Sequence, residues 1–154
     1  MANKAIIRRI EAADIDYILD NLWENSQQEA VIFGVPEIED LRQYLYSKLD
    51  QRMAYTITDN QPIAVFGATD QGDRVFTTWF VATPQFIDYY ASITRALKKI
   101  IQDQIVIEQA LQVVTYSACL NEKVERWFSL LGLYPDPANA PDIPIKRFVY
   151  GEKS

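Results

Sequence analysis

The stretch VFTTWFVAT, residues 75–83, most constrains what this chain can fold into. It is a run of β-branched and aromatic residues, apolar on both faces toward its end. Such a run is expected as a buried, central strand. It passes straight into Thr83-Pro84, a helix start, because Thr is an N-cap residue and proline suits the first helical position. A covered strand that feeds directly into a helix implies a sheet with helices packed on it.

The remaining segments arrange around that strand. Ala5–Ile10 reads as a first strand. Residues 12–26, AADIDYILDNLWENS, read as one helix with Ile15, Ile18, Leu19, Leu22 and Trp23 on one face, and with Asp14 and Asp16 in its first turn. FGVPEIEDLRQYLYSKL reads as a second helix, with Pro36 in its first turn and Ile38, Leu41, Leu45 and Leu49 as its stripe. MAYTITDNQPIAVFGATD is a hairpin turning at Asp59-Asn60-Gln61-Pro62. Phe86, Tyr90, Ile93, Leu97, Ile100 and Ile101 mark a long amphipathic helix. LQVVTYSA is a strand, NEKVERWFSLL a helix stopped by Gly132, PDPANAPDIP a loop, and IKRFVYG a closing strand. The expected order is β-α-α-β-β-β-α-β-α-β: one mixed α/β (α+β) domain over residues 1–154, a sheet of about six strands flanked by about four helices.

Composition narrows the chemistry. With 154 residues, 49% of them hydrophobic, the chain can bury a sizeable core. No apolar run approaches the ~20 residues of a membrane-spanning helix, and the N-terminus does not read as a signal peptide. The net charge of −6, with basic residues scattered, argues against direct nucleic-acid binding. The single cysteine, Cys119, fits a reducing compartment and reads as a buried thiol, with no basic neighbour to activate it. There is no histidine, which removes Ser-His and Cys-His nucleophile pairs and the usual zinc ligand sets.

Other residues admit bland readings. Val124, Trp127, Phe128 and Leu131 fall at the spacing of a core face. Glu122 and Arg126 read as a solvated pair on the opposite face. Asp14, Asp16, Glu24 and Glu29 read as helix-end acids rather than as a cation site. Tyr44, Tyr46, Tyr89 and Tyr90 read as core rims or interface anchors.

The element order resembles the GNAT superfamily of acyl-CoA-dependent N-acetyltransferases along nearly the whole chain. Their closing segment, N-x-x-A-x-x-L-Y-x-x-x-G-F, is matched in spacing by Asn121, Val124, Trp127, Phe128, Gly132 and Leu133. The patterns PIAVFGAT (62–69), Trp79 to Thr83 in TWFVATPQF, and Asn121, Trp127, Leu131 and Gly132 resemble a GNAT-like family of short-tailed phages, of the internal virion protein A type.

Two departures bear on catalysis. GNAT enzymes cradle the cofactor diphosphate in a Q/R-x-x-G-x-G/A turn, whereas here no glycine occurs between Gly72 and Gly132, Pro84 removes an N–H, and Asp88 adds negative charge. Phe128 stands where many GNAT enzymes have a proton-donating tyrosine, and neither Tyr116 nor Tyr134 is placed by the sequence as a substitute. The expectation is therefore a non-catalytic protein of virion structure or assembly. It would have no catalytic residue, no metal and no cofactor, and would lie in a virion or host cytoplasm with other virion proteins or its own copies as partners. The alternatives are an N-acetyltransferase with an atypical cofactor loop and, third, a protein binding a host factor. Only if acetyl-CoA binds would Val81, Thr83 and Asn121 be its ligands, with Asn121 otherwise a helix cap.

Overall fold

The computed structural model describes residues 5–106, 109–118, 122–142 and 144–151. Cys119 and Asn121 lie outside them. Among the described residues, seven strands hydrogen-bond in the order β1 (Ile6–Arg9), β2 (Ala54–Asp59), β3 (Gln61–Asp70), β4 (Val75–Ala82), β5 (Gln112–Ser117), β7 (Lys146–Tyr150), β6 (Leu133–Pro135), with five α-helices. The chain packs as two compact units: one runs to Ala68 and includes Trp79–Ile93, and the other takes Thr69–Thr78 and the residues from Thr94 onward.

In the first unit, β1 (Ile6–Arg9) pairs antiparallel with β2 (Ala54–Asp59), and β2 pairs antiparallel with β3 (Gln61–Asp70) through a tight turn at Asn60, φ 67°. Asn tolerates this left-handed conformation better than most residues do. Helices α1 (Ala12–Asp20) and α3 (Ile38–Tyr46) supply the core with Ile15, Ile18, Leu19, Leu41 and Leu45, packed with Ile10, Ala54, Val65 and Trp79. Each such large side chain contributes about 1.5–3 kcal/mol of transfer free energy.

The single long first helix is corrected to two. Asn21 ends α1 by donating its side-chain amide to Tyr17 O (2.9 Å) and its backbone N–H to Ile18 O (3.1 Å). Trp23 is extended, at φ −65° and ψ 137°, and α2 (Glu24–Ile32) starts after it. No residue of α2 is buried, so it carries no stripe for periodicity to detect.

The second unit is built on β5 (Gln112–Ser117). It pairs parallel with the start of β4 (Val75–Ala82), from Val75↔Gln112 to Thr78↔Thr115. On its other side β5 runs antiparallel to β7 (Lys146–Tyr150), which pairs with β6 (Leu133–Pro135). The three-residue β6 adds a strand to the expected six. The proline-rich loop before β7 is tied down by Asn139, whose side chain donates to Arg147 O and accepts from Arg147 N–H, both at 2.9 Å. Gly132 follows α5 (Glu122–Leu130) at φ 85°, a conformation that suits glycine.

The helix expected at Thr83-Pro84 begins differently. Six residues of tight 3-10 helix, Pro84–Tyr89, precede α4 (Tyr90–Val106).

Candidate functional site

The end of β4, where the sequence lacks the glycine-rich turn of the superfamily it resembles, lies in the first unit. Thr83 is buried, and both of its donors reach one acceptor: its N–H meets Ile63 O at 2.9 Å and its hydroxyl meets the same oxygen at 3.0 Å. Thr83 is therefore a clamp onto β3, and its hydroxyl does not cap the helix that follows. Val81, half-buried, is two residues back and turns its backbone to the same edge, because successive strand residues face opposite edges.

Ala82 faces the other edge, and the start of α2 docks there. Trp23 N–H donates to Ala82 O at 2.9 Å, and Ala82 N–H donates to Ser26 Oγ at 3.3 Å. The Trp23 ring lies 5.3 Å from that of Phe86, which also meets Phe80 at 5.3 Å and Tyr90 at 5.9 Å. Spacing placed Trp23 on a helix stripe, and nothing local in the sequence signals that it docks on β4.

Trp79 lies on the β4 face toward α1 and α3. It is 8% exposed, and its indole N–H has no hydrogen-bond partner among the described residues. Gly67 beside it leaves no room for a side chain: a Cβ there would lie 2.1 Å from the Met53 backbone oxygen and 2.8 Å from the Trp79 ring.

The acidic and tyrosine side chains of this unit are mostly committed. Asp14 is buried and binds Arg8 and Thr56, so it is a structural hub rather than a first-turn surface acid. Asp16 accepts the Tyr46 hydroxyl at 2.5 Å and pairs with Arg42. The Tyr46 bond, first, and Arg42 hold its carboxyl below the ordinary value despite some burial. Tyr89 donates to Asp59, which raises its phenol. Lys48 Nζ lies 4.7 Å over the Tyr44 ring, and burial shifts that lysine downward and that phenol upward. Glu24 accepts from Gln28 at 3.2 Å. No group of acids able to hold a metal ion occurs among the described residues.

In the second unit, Phe128 and Leu131 are buried as expected, while Val124 and Trp127 are only half-buried. Phe128 packs on Phe148 at 4.8 Å and stacks on Trp127 at 5.6 Å. Trp127 gives its N–H to Thr94 Oγ1 at 2.9 Å, which explains why it stays at the rim of the core. Tyr116 is 44% exposed and Tyr134 half-buried.

By sequence, no protein-family model and no curated protein matches the chain. By structure, it is similar to an acetyltransferase of the GNAT family from Bacillus anthracis, with a TM-score of 0.68 at 12% identity, covering 97% of this chain and 95% of that one. It is also similar to spermidine N-acetyltransferase from Vibrio cholerae in complex with CoA and spermine, with a TM-score of 0.65 at 15% identity over 94% of each chain. The chain has the mixed α+β GNAT fold.

Two expectations are corrected here. The non-catalytic role in virion structure or assembly is overturned, because the structures matched are acetyltransferases and the phage resemblance finds no support among them. The absence of a cofactor is overturned likewise, since one of those neighbours was solved with CoA. The missing glycines and the Phe128 substitution are local losses, whereas the likeness spans nearly the whole frame. No helix of the described residues is long and apolar enough to cross a membrane.

Proposed function

We propose that this chain is an acyl-CoA-dependent N-acyltransferase whose diphosphate-binding turn is atypical. The observation supporting this is likeness to a GNAT acetyltransferase over 97% of the chain. Acetyl-CoA would supply an acyl group activated as a thioester, and a primary amine would accept it.

The turn after β4 does not fit the usual diphosphate cradle. It has no glycine, its helix opens on Pro84, which lacks an N–H, and Thr83 directs both donors to Ile63 O. No catalytic step is assigned to that end. Of the ligands the sequence offered, Val81 and Thr83 shape the strand end from its β3 side, and Asn121 lies outside the described residues. The edge that Ala82 presents is already taken by Trp23 and Ser26. Phe128 has no hydroxyl, so proton delivery falls to another group.

The test pairs calorimetric titration of acetyl-CoA with mass-spectrometric detection of acetylated product over a panel of primary amines. Binding in the micromolar to millimolar range, where substrate constants of enzymes lie, with transfer to at least one amine, is expected. No heat and no product would overturn the proposal.

A further inference from the structure

Residues 10–41 hold nine acidic residues and no lysine, arginine or histidine, whereas the rest of the chain has fifteen basic and twelve acidic residues. Part of this charge is neutralised within the fold. Arg8 holds Asp14, and Arg42 holds Asp16 and Glu39. Asp20, Glu24, Glu37 and Asp40 stand exposed. The same segment carries apolar side chains that face water. Helix α2 ends on Val31, Ile32 and Phe33, all exposed, Val31 by 53%, and Ile38 at the start of α3 is exposed as well. No longer run of exposed large apolar residues occurs among the described residues. The turn between the two helices explains the exposure. Val35 N–H reaches back to Ala30 O at 2.8 Å, Gly34 takes a φ of 84°, and Pro36 follows. Ala30 and Val35 are thereby the side chains that pack on the core cluster, and those between them point elsewhere.

We infer that residues 31–38 dock a basic amphipathic helix of a partner protein. Contiguous apolar residues left on a surface mark an interaction site. Charge decides the occupant. The acids around this patch attract lysine and arginine at the rim of an interface whose centre is apolar. A second copy of the chain brings the same acids, and like charges brought together oppose association. An anionic membrane surface is disfavoured for the same reason, since it attracts basic segments. A basic amphipathic helix meets both demands at once. Its apolar stripe covers Val31, Ile32, Phe33 and Ile38, and its flanking basic residues reach Glu37 and Asp40 while their aliphatic stems add apolar contact. This role is separate from acyl transfer and does not depend on it.

The experiment titrates the full chain, by fluorescence anisotropy, against three labelled peptides of about five helical turns. One is an amphipathic leucine–lysine helix. The second replaces its leucines by serine at the same charge, and the third replaces its lysines by glutamate. The leucine–lysine peptide is expected to bind about tenfold or more tightly than either control, the factor that burial of one or two apolar side chains supplies. Ile32→Ser combined with Phe33→Ser should remove that margin. Both side chains are exposed, so the fold is kept, and urea denaturation checks that it is. Glu37→Gln combined with Asp40→Asn leaves the apolar residues in place and should weaken binding about threefold or more at low salt, less as salt is raised. No binding of the leucine–lysine peptide, equal binding of the serine–lysine peptide, or unchanged binding by the Ile32/Phe33 variant each overturns the inference. So does dimerisation in sedimentation, or binding to phosphatidylcholine vesicles, that the same variant abolishes, because either gives the patch a different occupant.

Discussion

Arg8 grips the Asp14 carboxylate with both terminal nitrogens, at 2.7 and 2.6 Å. The same carboxylate accepts the Thr56 hydroxyl at 2.7 Å and the Glu11 amide at 2.9 Å. One side chain thus joins β1, the first turn of α1 and β2. Asp14→Ala would leave the buried Thr56 hydroxyl and the Glu11 amide unpaired. The expected loss is about 2–4 kcal/mol, below the top of the range for a broken buried pair because Arg8 is partly solvated. Urea denaturation measures it, and a loss under ~0.5 kcal/mol would place Asp14 among surface residues.

Acid should reveal the same group. Burial pushes the Asp14 carboxyl upward, but the hydrogen bonds from Arg8, Thr56 and Glu11 together hold it below its ordinary value. A carboxyl lowered on folding contributes stability that is complete above the unfolded Asp range and is lost as pH falls through the folded value. The denaturation midpoint should therefore fall as pH drops through the acid range. In Asp14→Asn that part of the fall should be missing, and parallel pH curves for the two proteins would refute the assignment.

Gly132→Ala meets two obstacles. Its φ of 85° is unfavourable for alanine, and the new Cβ would lie 2.7 Å from the Tyr150 ring. The left-handed conformation alone costs about 1–2 kcal/mol, and the crowded ring adds to it. Thermal melting should show the loss, and Tyr150→Ala introduced alongside should recover only the crowding part.

Trp127 is half-buried, so Trp127→Ala should cost about 2 kcal/mol, less than the ~3–5 of a fully buried aromatic. Trp127→Phe keeps the stack on Phe128 but loses the bond to Thr94, and should cost roughly 0.5–1.5 kcal/mol. Equal losses in the two variants would mean that the hydrogen bond, not the ring, holds α5 in place.

Phe128→Tyr tests whether position 128 takes part in chemistry. The ring is 9% exposed and packs on Phe148. A hydroxyl added there should cost about 1–3 kcal/mol if it finds no partner. Acyl transfer should change little, because the proposed enzyme works without a hydroxyl at this position. A large gain in turnover would show that the tyrosine's role is still wanted.

The sheet and most helices were legible because their residues repeat with the period of the element they form. Ile15, Ile18 and Leu19 mark α1 in this way, and Leu41 and Leu45 mark α3. Helix α2 was not legible, since a helix that buries nothing has no period to read. Leu22 and Trp23 prolong the α1 spacing, and what breaks it is a bond from Trp23 to Ala82, far along the chain. Strand β6 is too short for alternation to register. At the candidate site the glycine-free turn was visible in the sequence. That Thr83 points both donors at Ile63, or that the Trp79 N–H is left over, depends on which strand lies beside which. Periodicity carries no such information.

The parallel pairing of Val75 with Gln112 has a consequence for how fast the chain can fold. The two residues stand thirty-seven positions apart, and no short turn can join parallel strands. Their meeting must wait for the intervening chain to close on itself, an entropic loss that comes before any contact compensates it. The antiparallel hairpin of β2 and β3, turning at Asn60, carries no such delay. Refolding should then show hairpin protection against hydrogen exchange before the amides of Val113 and Val114 are protected, and the slow phase should belong to this long-range closure.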